Sequence, residues 1–233
     1  MHMRIGGLQK VTLLDYPGKV ACTVFLPGCN LRCPFCHNPA LVLPDRETDG
    51  LSTEKLLAFL ETRRGKLDGV CVTGGEPTLY EDLPALLRQI RGLGFAVKLD
   101  TNGCDPARLA EILNQGLVDY VAMDVKNAPA RYAETVGIPG FNPAPVEESI
   151  RLLRKSTVDY EFRTTLVREL HRPEDLDAIA AWLAGAPRYY LQNFVDSGNL
   201  IGRGYHGFTA EQLQGFAERV RPFFGAVELR GID

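Results

Sequence analysis

Apolar positions along the chain follow two alternating rhythms. Short continuous runs at 20–26, 69–73, 95–99, 119–125, 160–167 and 188–195 read as buried strands. Between them the apolar residues recur at helical spacing, over 53–64, 82–92, 106–115, 145–156, 173–184 and 209–221. Leu56, Leu57 and Leu60 mark one such face, and Leu83, Leu86, Leu87 and Ile90 another. Start signals agree: Ser52-Thr53-Glu54, Asp105-Pro106 and Pro173-Glu174-Asp175 each open a helical stretch. The run Ala226-Val227-Glu228-Leu229 reads as a terminal strand. The segment 8–14, the turn Asp15-Tyr16-Pro17-Gly18 and the first strand read as a hairpin at the sheet edge.

Strict alternation of strand and helix predicts an α/β fold with a parallel sheet covered by helices. An eight-unit barrel takes roughly 250 residues. This chain has 233, and about 18 of these precede the first unit, which leaves room for six or seven units. Six are counted. They form either an incomplete (β/α)6 TIM-type barrel or an open doubly wound sheet. Both place a site at the C-terminal ends of the strands. Residues 1–233 are expected to make one domain.

Charge narrows the function classes. With 26 basic and 29 acidic residues the formal charge is −3, which excludes a nucleic-acid-coating protein and an acidic disordered tail. No apolar run approaches the ~18–20 residues of a membrane helix. The opening Met1-His2-Met3-Arg4-Ile5-Gly6-Gly7 lacks the apolar core of a secretory signal. A cytoplasmic protein with no nucleic-acid or membrane partner is expected.

Of six cysteines, Cys29, Cys33 and Cys36 sit in one loop, and Cys22, Cys71 and Cys104 are scattered. The C-x3-C-x2-C spacing allows buried structural thiols, a zinc site or an iron–sulfur cluster. Zinc sites usually take four ligands as two pairs, and no second pair exists. A ferredoxin cluster also needs four thiolates. Three in one Pro/Gly-rich loop, 27–38, favour a cubane with one open iron, where a substrate or cofactor binds. Cys22 and Cys71 lie in apolar strands and read as core.

The other strand ends are polar. Thr73-Gly74-Gly75-Glu76-Pro77 follows the second strand, Asp100-Thr101-Asn102-Gly103 the third and Asp124-Val125-Lys126 the fourth. In a parallel fold these converge on one mouth with the cysteines. Gly-Gly permits close backbone approach, and a carboxylate there attracts an ammonium. The plainer alternatives are a tight turn with Glu76 at a helix start, an Asx turn at Asp100 and a surface ion pair between Asp124 and Lys126.

Cys29-Asn30-Leu31-Arg32-Cys33-Pro34-Phe35-Cys36 resembles the cluster signature of radical S-adenosylmethionine (SAM) enzymes, with Phe35 as its aromatic position. With His37-Asn38-Pro39 it looks like the loop of glycyl-radical-enzyme activating proteins. The opening stretch from Ile5 to Phe25 is similar to the anaerobic ribonucleoside-triphosphate reductase activating proteins, and the likeness fades after about residue 165. This resemblance implies a radical SAM partial barrel. It also implies a 4Fe–4S cluster on Cys29, Cys33 and Cys36 that chelates SAM at its open iron. Reductive cleavage then yields a 5′-deoxyadenosyl radical, which takes hydrogen from a glycine of a partner enzyme. Anaerobic operation and an electron donor such as flavodoxin or ferredoxin are implied too.

By the same resemblance, Gly74, Gly75 and Glu76 bind the methionine amino group. In the pyruvate formate-lyase activator, residues matching Asp100, Thr101 and Asp124 bind a monovalent cation beside SAM, and the match to Lys126 lies near its carboxylate. Gln192-Asn193-Phe194 departs from that activator, which has a histidine near the ribose. The competing readings are a small-molecule radical SAM enzyme like the 7-deazapurine synthases, and a non-catalytic iron–sulfur carrier.

Overall fold

The computed structural model describes residues 3–42 and 50–232. Strands β1 (Arg4–Ile5) and β2 (Gly7–Thr12) precede β3 (Ala21–Leu26), and α1 (Pro39–Val42) and β4 (Leu51–Ser52) lead into α2 (Thr53–Glu61). There follow β5 (Gly69–Gly74), α3 (Leu83–Gly92), β6 (Ala96–Thr101), α4 (Pro106–Asn114) and β7 (Tyr120–Asp124). The chain continues through α5 (Tyr132–Val136), α6 (Ala144–Lys155), β8 (Asp159–Leu166), α7 (Pro173–Leu183), β9 (Arg188–Asn193), α8 (Ala210–Val220) and β10 (Ala226–Arg230).

Local chemistry sets the helix starts. The Ser52 side chain accepts the Lys55 N–H, Asp105 accepts that of Arg108, and Thr209 accepts that of Gln212. The elements not anticipated, β1, β4, α1 and α5, have two to five residues, too few to show a period.

The main sheet runs β10-β9-β8-β7-β6-β5-β3-β2. Strand β2 is antiparallel to β3, as the hairpin reading expected, and all other pairs are parallel. Each parallel strand adds beyond the last, with no reversal of order. Crossovers of one hand then put the helices on one face, and the sheet curls about the other. A doubly wound sheet needs a reversal, so the architecture is the partial barrel. The six units are present, and the run 226–229 falls in a seventh parallel strand, β10. The barrel stays open between β2 and β10.

Side chains alternate across the sheet. The outer set, including Val24, Val72, Val97, Leu99, Val121 and Phe162, is fully buried under Leu87 and Ile90 of α3, Ile112 of α4 and Leu153 of α6. This core extends from Met3 to Val220. The inner set carries the polar residues Thr23, Cys71, Lys98, Asp100, Asp124, Glu161 and Arg163, with Ala21, Phe25 and Ala122 among them. Glu161, wholly buried, accepts from the Tyr120 hydroxyl at 2.6 Å and pairs with Arg230 at 3.6 Å. Among the described residues no helix is long and apolar enough to cross a membrane.

Candidate functional site

The C-terminal ends of β3, β5, β6, β7 and β8 surround a cavity of about 220 Å³. Every residue expected to hold the cluster, the cofactor or a cation lines it: Cys29, Cys33, Phe35, Cys36, Gly74, Gly75, Glu76, Asp100, Thr101, Asp124 and Lys126. Parallel strands all deliver their loops to one end, which is why segments a hundred residues apart meet here.

The cysteine loop is held by its neighbours. Tyr80 donates its hydroxyl to the Pro27 carbonyl at 2.6 Å, and the Asn102 side-chain amide donates to Asn30 at 2.8 Å. The Arg32 N–H reaches the Val136 carbonyl at 2.9 Å. Leu31, Cys33 and Phe35 are buried, Cys29 and Cys36 are half-buried, and all five line the cavity. Phe35 meets Phe194 edge-on, and His37 stacks on Phe194 at 5.2 Å and bonds the Val195 carbonyl. Phe194 is therefore a core residue that ties the cluster loop to the end of β9. Asn193 holds the backbone of Phe208 and does not line the cavity.

Gly74 and Gly75 have a further partner. A Cβ on Gly74 would stand 2.1 Å from the Leu26 carbonyl oxygen, and one on Gly75 would stand 2.0 Å from that of Gly28. The close approach they permit includes the cysteine loop's own backbone. Two hydrogen bonds seal it, Gly75 N–H to Leu26 at 2.8 Å and Glu76 N–H to Gly28 at 2.7 Å.

Glu76 is almost fully buried. Its Oε1 accepts from Thr78 N–H, the Thr78 hydroxyl and the Thr101 hydroxyl, and its Oε2 accepts from Asn102 N–H at 2.6 Å. Burial pushes its carboxyl above the ordinary glutamate range, against these hydrogen bonds. It is both a helix-start cap, as the plainer reading held, and a wall of the cavity. Oε2 carries one bond and keeps acceptor capacity for a further donor.

Beneath the mouth runs a chain of charges. Lys98 pairs with Asp100. Arg163 bridges Asp100 at 3.0 Å and Asp124 at 2.8 Å, and Lys126 pairs with Asp124 at 3.0 Å. Burial works against both aspartates, but Arg163 and the lysines outweigh it and hold the two carboxyls below their usual range. The Lys126 backbone is fixed as well, its N–H by the Tyr132 hydroxyl and its carbonyl by buried His171 at 2.8 Å. Lys98, Arg163 and His171 were missed from the sequence. The available signal was the i,i+2 polar spacing in Lys98-Leu99-Asp100 and Glu161-Phe162-Arg163 within otherwise apolar strands.

Burial pushes the Cys33 thiol up to about 12. A metal centre must displace such protons, because coordinated sulfur is thiolate. Among the described residues no three His, Cys, Asp or Glu side chains converge as ligands of one metal ion. Cys29, Cys33 and Cys36 all line the cavity, and the ligands of a cubane sit on separate irons, so they need not converge on one point. Cys104 is half-buried and its thiol is also pushed up to about 12 by burial, which leaves little thiolate for reaction. Cys22 and Cys71 are buried.

The model of the radical SAM superfamily matches residues 23–183, more than half of the chain. A protein of Methanocaldococcus jannaschii, named as a candidate glycyl-radical enzyme activating enzyme, is 33% identical over 83% of this chain and 81% of its own. The pyruvate formate-lyase-activating enzyme of Clostridium pasteurianum is 34% identical over 53% of this chain and 52% of its own. Among solved structures, Streptococcus suis SuiB bound to S-adenosylmethionine superposes with a TM-score of 0.70 at 15% identity. That match covers 87% of this chain and 48% of SuiB, and it speaks for the fold alone.

Proposed function

The chain belongs to the radical SAM superfamily, and from that premise we infer that it is an activase that installs a glycyl radical on a partner enzyme. Within that class, for which the His37-Asn38-Pro39 context speaks, anaerobic ribonucleoside-triphosphate reductase is the partner that the opening stretch from Ile5 to Phe25 suggests. The observation that carries the reading is the likeness to the named M. jannaschii protein over four-fifths of both chains. A one-electron donor of the flavodoxin or ferredoxin class serves it, and 1–233 works as one domain, as the continuous core supports.

Cys29, Cys33 and Cys36 hold the 4Fe–4S cluster, and Phe35 packs the loop between them. The cluster and SAM, when bound, supply the electron and the carbon radical. Glu76 Oε2, with Gly74 and Gly75 beside it, receives the cofactor's ammonium. Lys126, anchored by Asp124, Tyr132 and His171, faces its carboxylate. Asp100 and Thr101 shape the wall between these two points. The target hydrogen must come within ~3–3.5 Å of the reacting carbon, so a partner loop has to enter the mouth. The gap between β2 and β10 leaves the barrel less enclosed than a full eight-unit one. Specificity belongs to the rim: the tail after Asp196, and the segment from Asn38 to Asp49, of which 43–49 lie outside the described residues.

The test mixes reduced protein, SAM and the glycyl radical enzyme encoded beside it, followed by electron paramagnetic resonance. A glycine-centred doublet with stoichiometric 5′-deoxyadenosine is expected. Accumulation of 5′-deoxyadenosine without a protein radical, while a small molecule is consumed, overturns the activase reading in favour of a 7-deazapurine-synthase-like one.

A further inference from the structure

The carboxylates expected to hold a monovalent cation, Asp100 and Asp124, do not fit a bare metal ion. Each of their four oxygens already faces a cationic nitrogen of the chain. Asp100 Oδ1 meets Lys98 Nζ, and Asp100 Oδ2 meets Arg163 Nη1 at 3.0 Å. Asp124 Oδ1 meets Arg163 Nε at 2.8 Å, and Asp124 Oδ2 meets Lys126 Nζ at 3.0 Å. Three positive charges thus surround two negative ones. A metal ion placed there would have to share oxygens that each already face one of these nitrogens, and it would add a fourth positive charge beside three others.

Lys98 is the member that local packing does not demand. It lies on the inner face of β6, 1% exposed, with Cys71 Sγ 3.8 Å from its ammonium. A lysine shut inside a barrel is costly unless its charge is matched, and an apolar residue fills such a position more cheaply. Lys98 and Arg163 do not line the cavity, whereas Asp100, Asp124 and Lys126 do. Lys98 therefore reaches the mouth only through Asp100, the carboxylate it holds.

We propose that Lys98 is a built-in counter-cation that takes the place of a monovalent metal ion at Asp100. SAM binding by this chain then needs neither sodium nor potassium. Lys98 is a positioning residue: it holds Asp100, Asp100 shares Arg163 with Asp124, and Asp124 sets Lys126. The five groups sum to one excess positive charge, which is open at the Lys126 end to an anionic ligand group. This inference rests on the reading of the mouth as a SAM site.

The experiment measures SAM affinity of the cluster-reconstituted protein by calorimetry, at one ionic strength, with potassium, sodium or choline as the monovalent cation. Wild type is expected to bind equally in all three. In Lys98→Met, affinity in choline should fall about tenfold, and potassium or sodium should restore much of it. Lys98→Arg, which keeps the charge, should remain insensitive to the cation. A second readout needs no cofactor: the melting temperature of the apoprotein should ignore the cation in wild type and rise with potassium in Lys98→Met. Loss of wild-type SAM binding in choline overturns the proposal, and so does a Lys98→Met protein that behaves as wild type in every buffer. If Lys98→Met does not fold, the wild-type cation series decides alone. Wild type that carries its cluster yet binds no SAM in any buffer overturns the underlying reading of the mouth, and the proposal with it.

Discussion

Glu76 accepts four hydrogen bonds from two loops, Thr78 on its own and Thr101 and Asn102 on the next. Glu76→Ala would orphan all four donors and confuse support with ligand binding. Glu76→Gln keeps the shape and can keep the three bonds at Oε1, and it removes the charge with the loss of the Asn102 N–H bond alone. It should weaken SAM binding about ten- to hundred-fold, the worth of a charge-assisted hydrogen bond, with the iron–sulfur absorbance unchanged. An unaltered dissociation constant would make Glu76 a cap and nothing more. At the same scale, Cys29, Cys33 or Cys36 replaced by Ala should abolish the cluster, while Cys22→Ser, buried on the helix side of β3, should keep it. Iron and sulfide analysis decides, and zinc in the isolated protein in place of iron would count against the assignment. These residues were legible because their chemistry is local: a three-thiol loop and a Gly-Gly-Glu turn need no tertiary context to be seen.

At the scale of elements, His171 joins the ends of β7 and β8. Its Nδ1 accepts the Val167 N–H at 3.1 Å, so its Nε2 carries the proton toward the Lys126 carbonyl. Burial holds the imidazole below its ordinary value of 6.5. The folded form thus resists a proton that the unfolded chain accepts. Stability is complete above pH 6.5 and declines as pH falls through that value toward the lowered folded pKa. Urea titrations between about pH 8 and 5.5 should show this decline, and His171→Gln, which can keep both hydrogen bonds, should flatten it. An identical slope in the variant removes His171 as its source. The sequence places the loop Leu170-His171-Arg172-Pro173 between a strand and a helix but does not say that it folds back on Lys126. The helices were legible from apolar spacing and caps, whereas β1, β4, α1 and α5 were too short to be.

At the scale of the molecule, β10 closes one side of the sheet. It pairs residue by residue with β9 from Ala226 to Arg230, and Arg230 lies 3.8 Å above the Tyr190 ring while reaching buried Glu161. Truncation before Ala226 should expose the β9 edge and strand part of the Glu161 charge. A loss on the order of 1–3 kcal/mol is expected, the scale of leaving a buried acceptor without its partner. Denaturant unfolding measures it, and an unchanged midpoint and slope would show that β10 is an appendage. The sequence alone determined the order of strands and helices, the parallel sheet and the residues gathered at its C-terminal mouth. Periodicity and chain direction suffice for these, since parallel strands must send their loops to one end. Periodicity left open whether the sheet curls, the family resemblance implied that it does, and the strand order of the tertiary structure decided it, because curvature depends on that order. That curvature turns Lys98, Glu161 and Arg163 inward as buried partners, where alternation along a strand shows only that they share a face.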